Sequence, residues 1–516
     1  MIEGSWRRRG LSKTFAYATF LILSLILLPL YRYGVNPDAI SYFTISREYI
    51  AHLFPDAING SWSPLYSWLL TPFLAVGVAG PLAARVLAIP IGLGTIFTAD
   101  RLAERLGLSG DLRAGIRLAL VIPVLALGFI VVTPDLLATL LMLVYLWLIC
   151  SPNYLQRPAK WLAVGFVGAL IYFAKAYGMW FFLGHMILTY LIWLGRRPRW
   201  RVVMAMIAGL SVFVITSAPW VAALSMKYGH FTLNTAGGYN HAIEGPTAPA
   251  FAPTEVGLLR PPTRLSASAW EDPSQLNLPD WNEFASKANF KHFLFLVARN
   301  FGDFIEQVSS YSVFLLAIGI VAAIVAVRSW QKQAGGPFGL LVLGVIIFPI
   351  GYLVLHVEQR FLSMPAVLLV LLGGWLIDHA SKSYAIPRVH RTLAIWALCL
   401  SLLPNPIWSL VRERSWEGWR LQQIGDFISA SIPPHSNVAS DSNWFDSMYG
   451  SYYARIRYYG VPRPGENSGE FLKDIHQQGV EYLLIWNDPQ KLPFLRDWQR
   501  LSPMGAEPPA IFAAKQ

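Results

Sequence analysis

The 516-residue chain predicts a polytopic α-helical membrane protein with about eleven transmembrane helices and a small α/β unit at its C-terminal end. Three observations carry that prediction. Hydrophobic residues make up 54% of the chain and charged residues only 14%, a balance unlike that of soluble domains. The apolar residues fall in blocks of roughly 20, the length of helix needed to cross a bilayer. Lys and Arg gather in alternate short loops between these blocks, as the positive-inside rule expects. The net charge of +11 therefore orients the chain in a membrane. It does not form the basic, aromatic-interleaved face of a nucleic-acid binder. Cys150 and Cys399 sit within or at the end of apolar blocks, which implies no disulfide framework.

At the N-terminus, Arg7, Arg8, Arg9 and Lys13 precede an uncharged run from Thr14 to Tyr31. The run is long for a signal peptide, and Leu-Pro-Leu-Tyr-Arg lacks the small residues of a cleavage site, so a retained helix with a cytoplasmic N-terminus is expected. A first exoplasmic loop follows (32–83). Inside it, Ser63-Pro64-Leu65-Tyr66-Ser67-Trp68 opens an apolar stretch too short for a span, whose aromatics suit a surface-lying or re-entrant helix. The second span runs from about Ala84 to Ala103, with Arg101, Arg105, Arg113 and Arg117 marking the cytoplasmic turn. From Leu118 to Gln156 the only formal charge is Asp135, and from Trp161 to Gly195 it is Lys175. Each stretch fits two spans with its charge at the exoplasmic tip. A span from Val202 to about Ser225 delivers a long exoplasmic loop (226–305). Further spans follow at about Val308–Val327, Phe338–Leu355, Phe361–Ile377 and Thr392–Leu410. His356-Val357-Glu358-Gln359-Arg360 lies outside, between the second and third of these.

Residues 1–410 thus form the transmembrane domain, and 411–516 read as a small exoplasmic α/β domain. In the latter, Asn437–Ser440 and Glu481–Trp486 read as strands, and stretches around Met448–Tyr459 and Gly469–Gln478 as helices.

Asp38, Asp135, Lys175, His356, Glu358 and Arg360 share one exoplasmic boundary, although the chain reaches it at widely separated points. Ionisable groups at the edge of apolar helices are costly and tend to be functional. Each also has an ordinary reading. Thr133-Pro134-Asp135 is a standard helix start, Lys175 can snorkel to headgroups, Glu358 and Arg360 can pair at the surface, and Asp38 after Asn36-Pro37 can be turn chemistry. His356-x-Glu358 is too short a pattern to argue a metal site. Together, carboxylates and cations around an interfacial cavity suit chemistry on a lipid-linked phosphate. The cations stabilise its charge, and a carboxylate takes the proton of an incoming hydroxyl.

Several motifs in order carry a family resemblance. They are Asp38 with Tyr42, Ser63-Pro64-Leu65-Tyr66, Thr133-Pro134-Asp135, Ala174-Lys175, Pro219-Trp220, Tyr228-Gly229, Gly237-Gly238-Tyr239-Asn240, and Glu358-Gln359-Arg360-Phe361 with Pro365. Over about residues 14–410 the chain resembles the C-type (GT-C) membrane glycosyltransferases. The similar branch holds the protein O-mannosyltransferases, the aminoarabinose lipid A transferases and the RgtA/B/C/D-like enzymes. It departs from them at Ala39, where a second acid often stands, at Ser63 in place of His, and at Phe361 in place of Tyr.

The resemblance implies transfer of one sugar from a polyprenyl-phosphate donor to an acceptor hydroxyl, with inversion, at the exoplasmic face of a plasma (inner) membrane. It implies Asp38 as general base and Asp135 as a second acidic group of the catalytic pair. Lys175, Arg360 and His356 would bind the donor phosphate, and Tyr42, Tyr66, Glu358, Tyr239 and Asn240 would line the site. No cofactor is required by this scheme, and a divalent cation is left open. The acceptor class is open among lipid A, polysaccharide, glycolipid and protein. A transporter or flippase for a lipid-linked sugar is the main alternative, but it would place its ionisable groups near the midplane between repeats. A non-catalytic envelope-glycan assembly protein is the other. Asn59-Gly60-Ser61 matches a glycosylation sequon, a short pattern with many chance matches.

Overall fold

The first helix, α1 (Ile2–Tyr31), leads into three short helices of the first loop: α2 (Pro37–Ile50), α3 (Phe54–Ala57) and α4 (Pro64–Ala75). Each of the three has proline in its first turn, where the missing N–H costs nothing. The computed structural model describes residues 2–248, 252–413, 416–503 and 509–514, and the side chains of these except 2–13 and 416–417. The basic side chains of Arg7, Arg8, Arg9 and Lys13 lie outside that description.

The bundle continues with α5 (Gly80–Arg105), α6 (Gly110–Phe129), α7 (Asp135–Ile149), α8 (Pro158–Ala174), α9 (Tyr177–Leu194) and α10 (Arg199–Tyr228). Beyond it come α11 (Ala236–Ile243), α12 (Lys287–Tyr311), α13 (Phe314–Arg328), α14 (Trp330–Gln333), α15 (Pro337–Ile347), α16 (Ser363–Ser383), α17 (Arg388–Ser401) and α18 (Pro404–Arg412). Among the described residues, eight helical segments are long and apolar enough to cross a membrane, and the bent pair α12–α13 can make a ninth. The remaining two expected spans, α7 and α8, are shorter, at 15 and 17 residues. The shortening has a local cause. α7 begins at Asp135 and α8 ends at Ala174, so both helices stop where the chain presents an ionisable residue. Irregular backbone near membrane depth is tolerated where it lines a protein cavity.

Two expectations are corrected. The span expected from Val308 begins at Phe314, because Ser312 is extended (φ −168°, ψ 136°) and the chain bends there by 110°. The end of the long loop expected over 226–305 is helical from Lys287. Its mixed charges concealed an amphipathic helix.

The C-terminal segment adds α19 (Trp416–Ser429), α20 (Trp444–Ala454) and α21 (Ser468–Gln478), together with most of the strands. In chain order the strands are β1 (Gly257–Leu258), β2 (Asn437–Ser440), β3 (Arg457–Tyr458), β4 (Gly460–Val461), β5 (Tyr482–Ile485), β6 (Gln499–Arg500) and β7 (Ala510–Ala513). The main sheet runs β3-β2-β5-β7-β6, with β2 parallel to β3 and β5, and β7 antiparallel to β5 and β6. The helix expected over Met448–Tyr459 lies at Trp444–Ala454 instead. Arg455 turns left-handed (φ 58°), and the next residues join the sheet. β1, from the long loop, pairs with β4 and ties that loop to the C-terminal unit. Trp444, Met448 and Tyr452 of α20 are buried in the same hydrophobic core as the bundle, with Tyr452 against Phe43 of α2.

Candidate functional site

The site is built where α2 and α7 start. Asn36 precedes α2 and uses its side chain to reach the neighbouring loop, its Oδ1 accepting from the backbone N–H of Val132 at 3.0 Å. That bond brings the first turn of α2, with Asp38, beside the first residue of α7, Asp135. Thr133, expected to cap α7, instead donates its hydroxyl to Asp135 Oδ2 at 2.7 Å. Lys175 sits in the extended break between α8 and α9 and donates to Asp135 Oδ1. Its ammonium lies 3.8 Å from the centre of the Phe361 ring, a cation–π contact.

Arg360 joins the two acids. Its Nη1 donates to Asp38 Oδ2 at 2.7 Å and lies 4.0 Å from Asp135 Oδ2, while its Nε donates to Glu358 Oε2 at 2.6 Å. His356 Nε2 is 3.4 Å from Glu358 Oε1. The five-residue segment carrying these groups runs from irregular backbone into a 3-10 turn (Gln359–Leu362), and α12 fixes it. Asn300, fully buried, donates to the carbonyls of Leu353 and Leu355, and the Tyr311 hydroxyl donates to that of Gln359. The cluster therefore holds three carboxylates, a guanidinium, an ammonium and an imidazole.

Its electrostatics follow from this packing. Burial raises the Glu358 carboxyl, but hydrogen bonding from His356 and the Arg360 guanidinium outweigh it and hold the group down at about 2. Burial pulls the Lys175 ammonium below its usual range, opposed by Asp135 and reinforced by Arg360. The Tyr42 hydroxyl is held protonated by burial, with the charges of Asp38 and Asp135 adding to the effect. Among the described residues, no three His, Cys, Asp or Glu are grouped as a metal site.

These groups face a cavity of about 730 Å³. Of the ten residues singled out from sequence, nine line it: Asp38, Tyr42, Asp135, Lys175, Tyr239, Asn240, His356, Glu358 and Arg360. Tyr66 does not. It is buried behind Tyr42 in an edge-to-face contact at 5.3 Å and backs the wall. Sequence reasoning missed Trp62 and Trp270, which form an aromatic wall with Tyr42 and Tyr239. It also missed Tyr177 and Tyr352, stacked with Phe361 beneath Lys175. At the opposite side the lining turns apolar with Trp180, Ile350 and Val354, which are also exposed on the outside of the bundle. Asn59 of the sequon is buried, its amide donating to the carbonyl of Glu271, so the modification reading loses its accessible side chain.

No protein-family model matches the chain, and no curated protein sequence matches it. Solved structures do. ArnT from Cupriavidus metallidurans is similar in its apo state, with a TM-score of 0.55 and 13% identity over 98% of this chain and 99% of that one. The same protein bound to undecaprenyl phosphate gives 0.56 and 13%, over 97% and 99%. The arabinofuranosyltransferase AftD from Mycobacteria gives 0.52 and 12%, over 98% of this chain and 41% of AftD. At these identities the likeness establishes the fold alone, which this chain shares with ArnT and AftD.

Proposed function

We propose that this protein is a membrane glycosyltransferase that moves a single sugar from a polyprenyl-phosphate donor to an acceptor hydroxyl. The observation that carries this reading is the Asp38–Arg360–Glu358 and Asp135–Lys175 cluster, set in one cavity between an aromatic wall and an apolar side. The apolar side at Trp180 and Ile350 suits a polyprenyl chain entering from lipid. In this reading Lys175, Arg360 and His356 hold the phosphate. Trp62, Trp270 and Tyr239 offer flat faces to a sugar ring. ArnT, which shares the fold, has been solved with undecaprenyl phosphate bound.

In this reading the acceptor hydroxyl attacks the anomeric carbon, its proton passes to Asp38, and the bond from that carbon to the phosphate oxygen breaks. A single displacement inverts the anomeric configuration. The lipid phosphate leaves as an anion, and fixed cations stabilise the charge it gains. Arg360 links the two halves of the step. A donor phosphate competes with Asp38 for the guanidinium, so donor binding frees the carboxylate to act as base. Asp135 fixes Lys175 and stands by as the second acid. The cavity lies on the exoplasmic side of a plasma membrane, with the N-terminus cytoplasmic, if the basic loops face inward.

The test is transfer by purified protein from a synthetic polyprenyl-phosphate sugar, with the product's anomeric configuration read by NMR. An inverted glycoside is expected. Retained configuration, or donor transport without transfer, overturns the reading.

A further inference from the structure

We propose that a second cavity, of about 550 Å³ and separate from the reaction site, binds a phosphate-bearing anion. It lies between the end of α2, the α4–α5 turn, the loop around residue 264 and the α20–β3 junction. Arg47, Arg264, Arg455, Arg457 and His435 line it, and no Asp or Glu does.

Four guanidiniums facing one cavity are mutually repulsive unless something compensates them. Among the described residues none of the four forms an ion pair. Arg47 rests on the Tyr452 ring, 4.7 Å from its centre. Arg457 donates only to neutral acceptors, Asn437 Oδ1 and the Pro261 carbonyl, and its Nε is buried without a partner. Arg264 and Arg455 are exposed. The helices α2 and α20 end beside this cavity, and each C-terminus is worth only about half a negative charge. Set against four positive charges, that leaves a net of about +3. Glu48 and Glu271 are buried, and burial pushes their carboxyls up to about 8 and about 7. Together they supply less than one full negative charge at neutral pH.

The backbone is also shaped for this arrangement. His435 and Arg455 are both left-handed (φ 68° and 58°), a conformation costly for residues other than glycine, and the His435 N–H donates to the Arg455 carbonyl at 2.8 Å. The turn thus sets two basic side chains at one rim. Guanidinium forks match phosphate oxygens with paired hydrogen bonds, which makes a phosphate the fitting anion. The opposite rim is the apolar α4–α5 turn, where Val76 is 79% exposed. A phospholipid headgroup and a soluble phosphate share the chemistry, so the experiment separates them.

Full-length protein is placed in phosphatidylcholine nanodiscs with and without phosphatidylglycerol, and in neutral detergent with inorganic pyrophosphate. The readouts are the thermal midpoint and lipid retention by native mass spectrometry. Wild type is expected to gain several degrees with at least one probe, over sodium chloride of equal ionic strength. A gain with phosphatidylglycerol alone identifies a headgroup site, and a gain with pyrophosphate identifies a soluble anion site. The Arg264→Gln/Arg455→Gln pair should weaken binding tenfold or more, while the corresponding Lys pair, which keeps the charge but not the fork, recovers only part of that loss. Arg455→Gly serves as the folding control, because it relaxes the left-handed turn. It should raise the ligand-free midpoint yet weaken binding. No gain with either probe, an equal gain from sodium chloride, or full binding by the Gln pair overturns the proposal.

Discussion

Replacing Arg360 by glutamine tests how the cluster works. The guanidinium donates to Asp38 at 2.7 Å and to Glu358 at 2.6 Å, and its side chain is 22% exposed. A hydrogen bond to a charged group contributes about 1.5–3 kcal/mol net. If one of these two bonds passes to the donor phosphate, its loss weakens donor binding by about 10- to 150-fold. Lysine at this position restores the charge but not the planar fork, so it recovers only part of that loss. The assay is equilibrium binding of undecaprenyl phosphate to purified protein, with a thermal scan to establish folding. Arg360→Gln also leaves Asp38 and Glu358 without their shared cation. The Asp38→Asn/Arg360→Gln double variant should therefore be more stable than Arg360→Gln alone. If a folded Arg360→Gln protein binds the lipid within twofold of wild type, the guanidinium does not hold the phosphate.

Glu48 gives a pH dependence of defined sign. Its side chain is 1% exposed, and its carboxyl is pushed up to about 8 from an ordinary 4.5, chiefly by burial. Between those values the folded protein keeps a proton that the unfolded chain loses. This contribution to stability is full below pH 4.5 and declines by up to about 1.4 kcal/mol per unit as pH rises toward 8. Thermal midpoints at pH 5 and pH 8 should diverge in wild type and converge substantially in Glu48→Gln, with Glu271 leaving a residual slope of the same sign. A wild-type midpoint independent of pH contradicts this. Asn300→Ala removes two hydrogen bonds to the part-buried carbonyls of Leu353 and Leu355, worth about 0.5–1.5 kcal/mol each, so the midpoint should fall. The transfer rate should fall with it, because Arg360 loses its support, whereas unchanged stability removes the clamp role.

Asp135 and Lys175 were legible because each interrupts an apolar run. They are the only formal charges in their stretches, and a helical hairpin puts such residues at its tip. The structure adds that the helices stop there, which explains why α7 and α8 are shorter than a full span. Trp62 and Trp270 were not legible, because aromatic residues in loops read equally as interface anchors, and only the tertiary fold sets them against Tyr42 and Tyr239. The clamp by Asn300 was invisible for a related reason. A polar residue on an amphipathic helix reads as solvent-facing until the 110° bend places α12 against the segment before Arg360. Tyr66 was placed near the right neighbours but on the wrong side of Tyr42, a difference of one side-chain layer that sequence spacing does not resolve.

The central claim is that Asp38 is the base. The direct measurement is the single-turnover transfer rate of Asp38→Asn at saturating donor, alongside its affinity for undecaprenyl phosphate. The lipid should still bind, since Arg360 and Lys175 remain, while the rate falls by about 10²–10⁴, the usual worth of a positioned base. Transfer at the wild-type rate contradicts it.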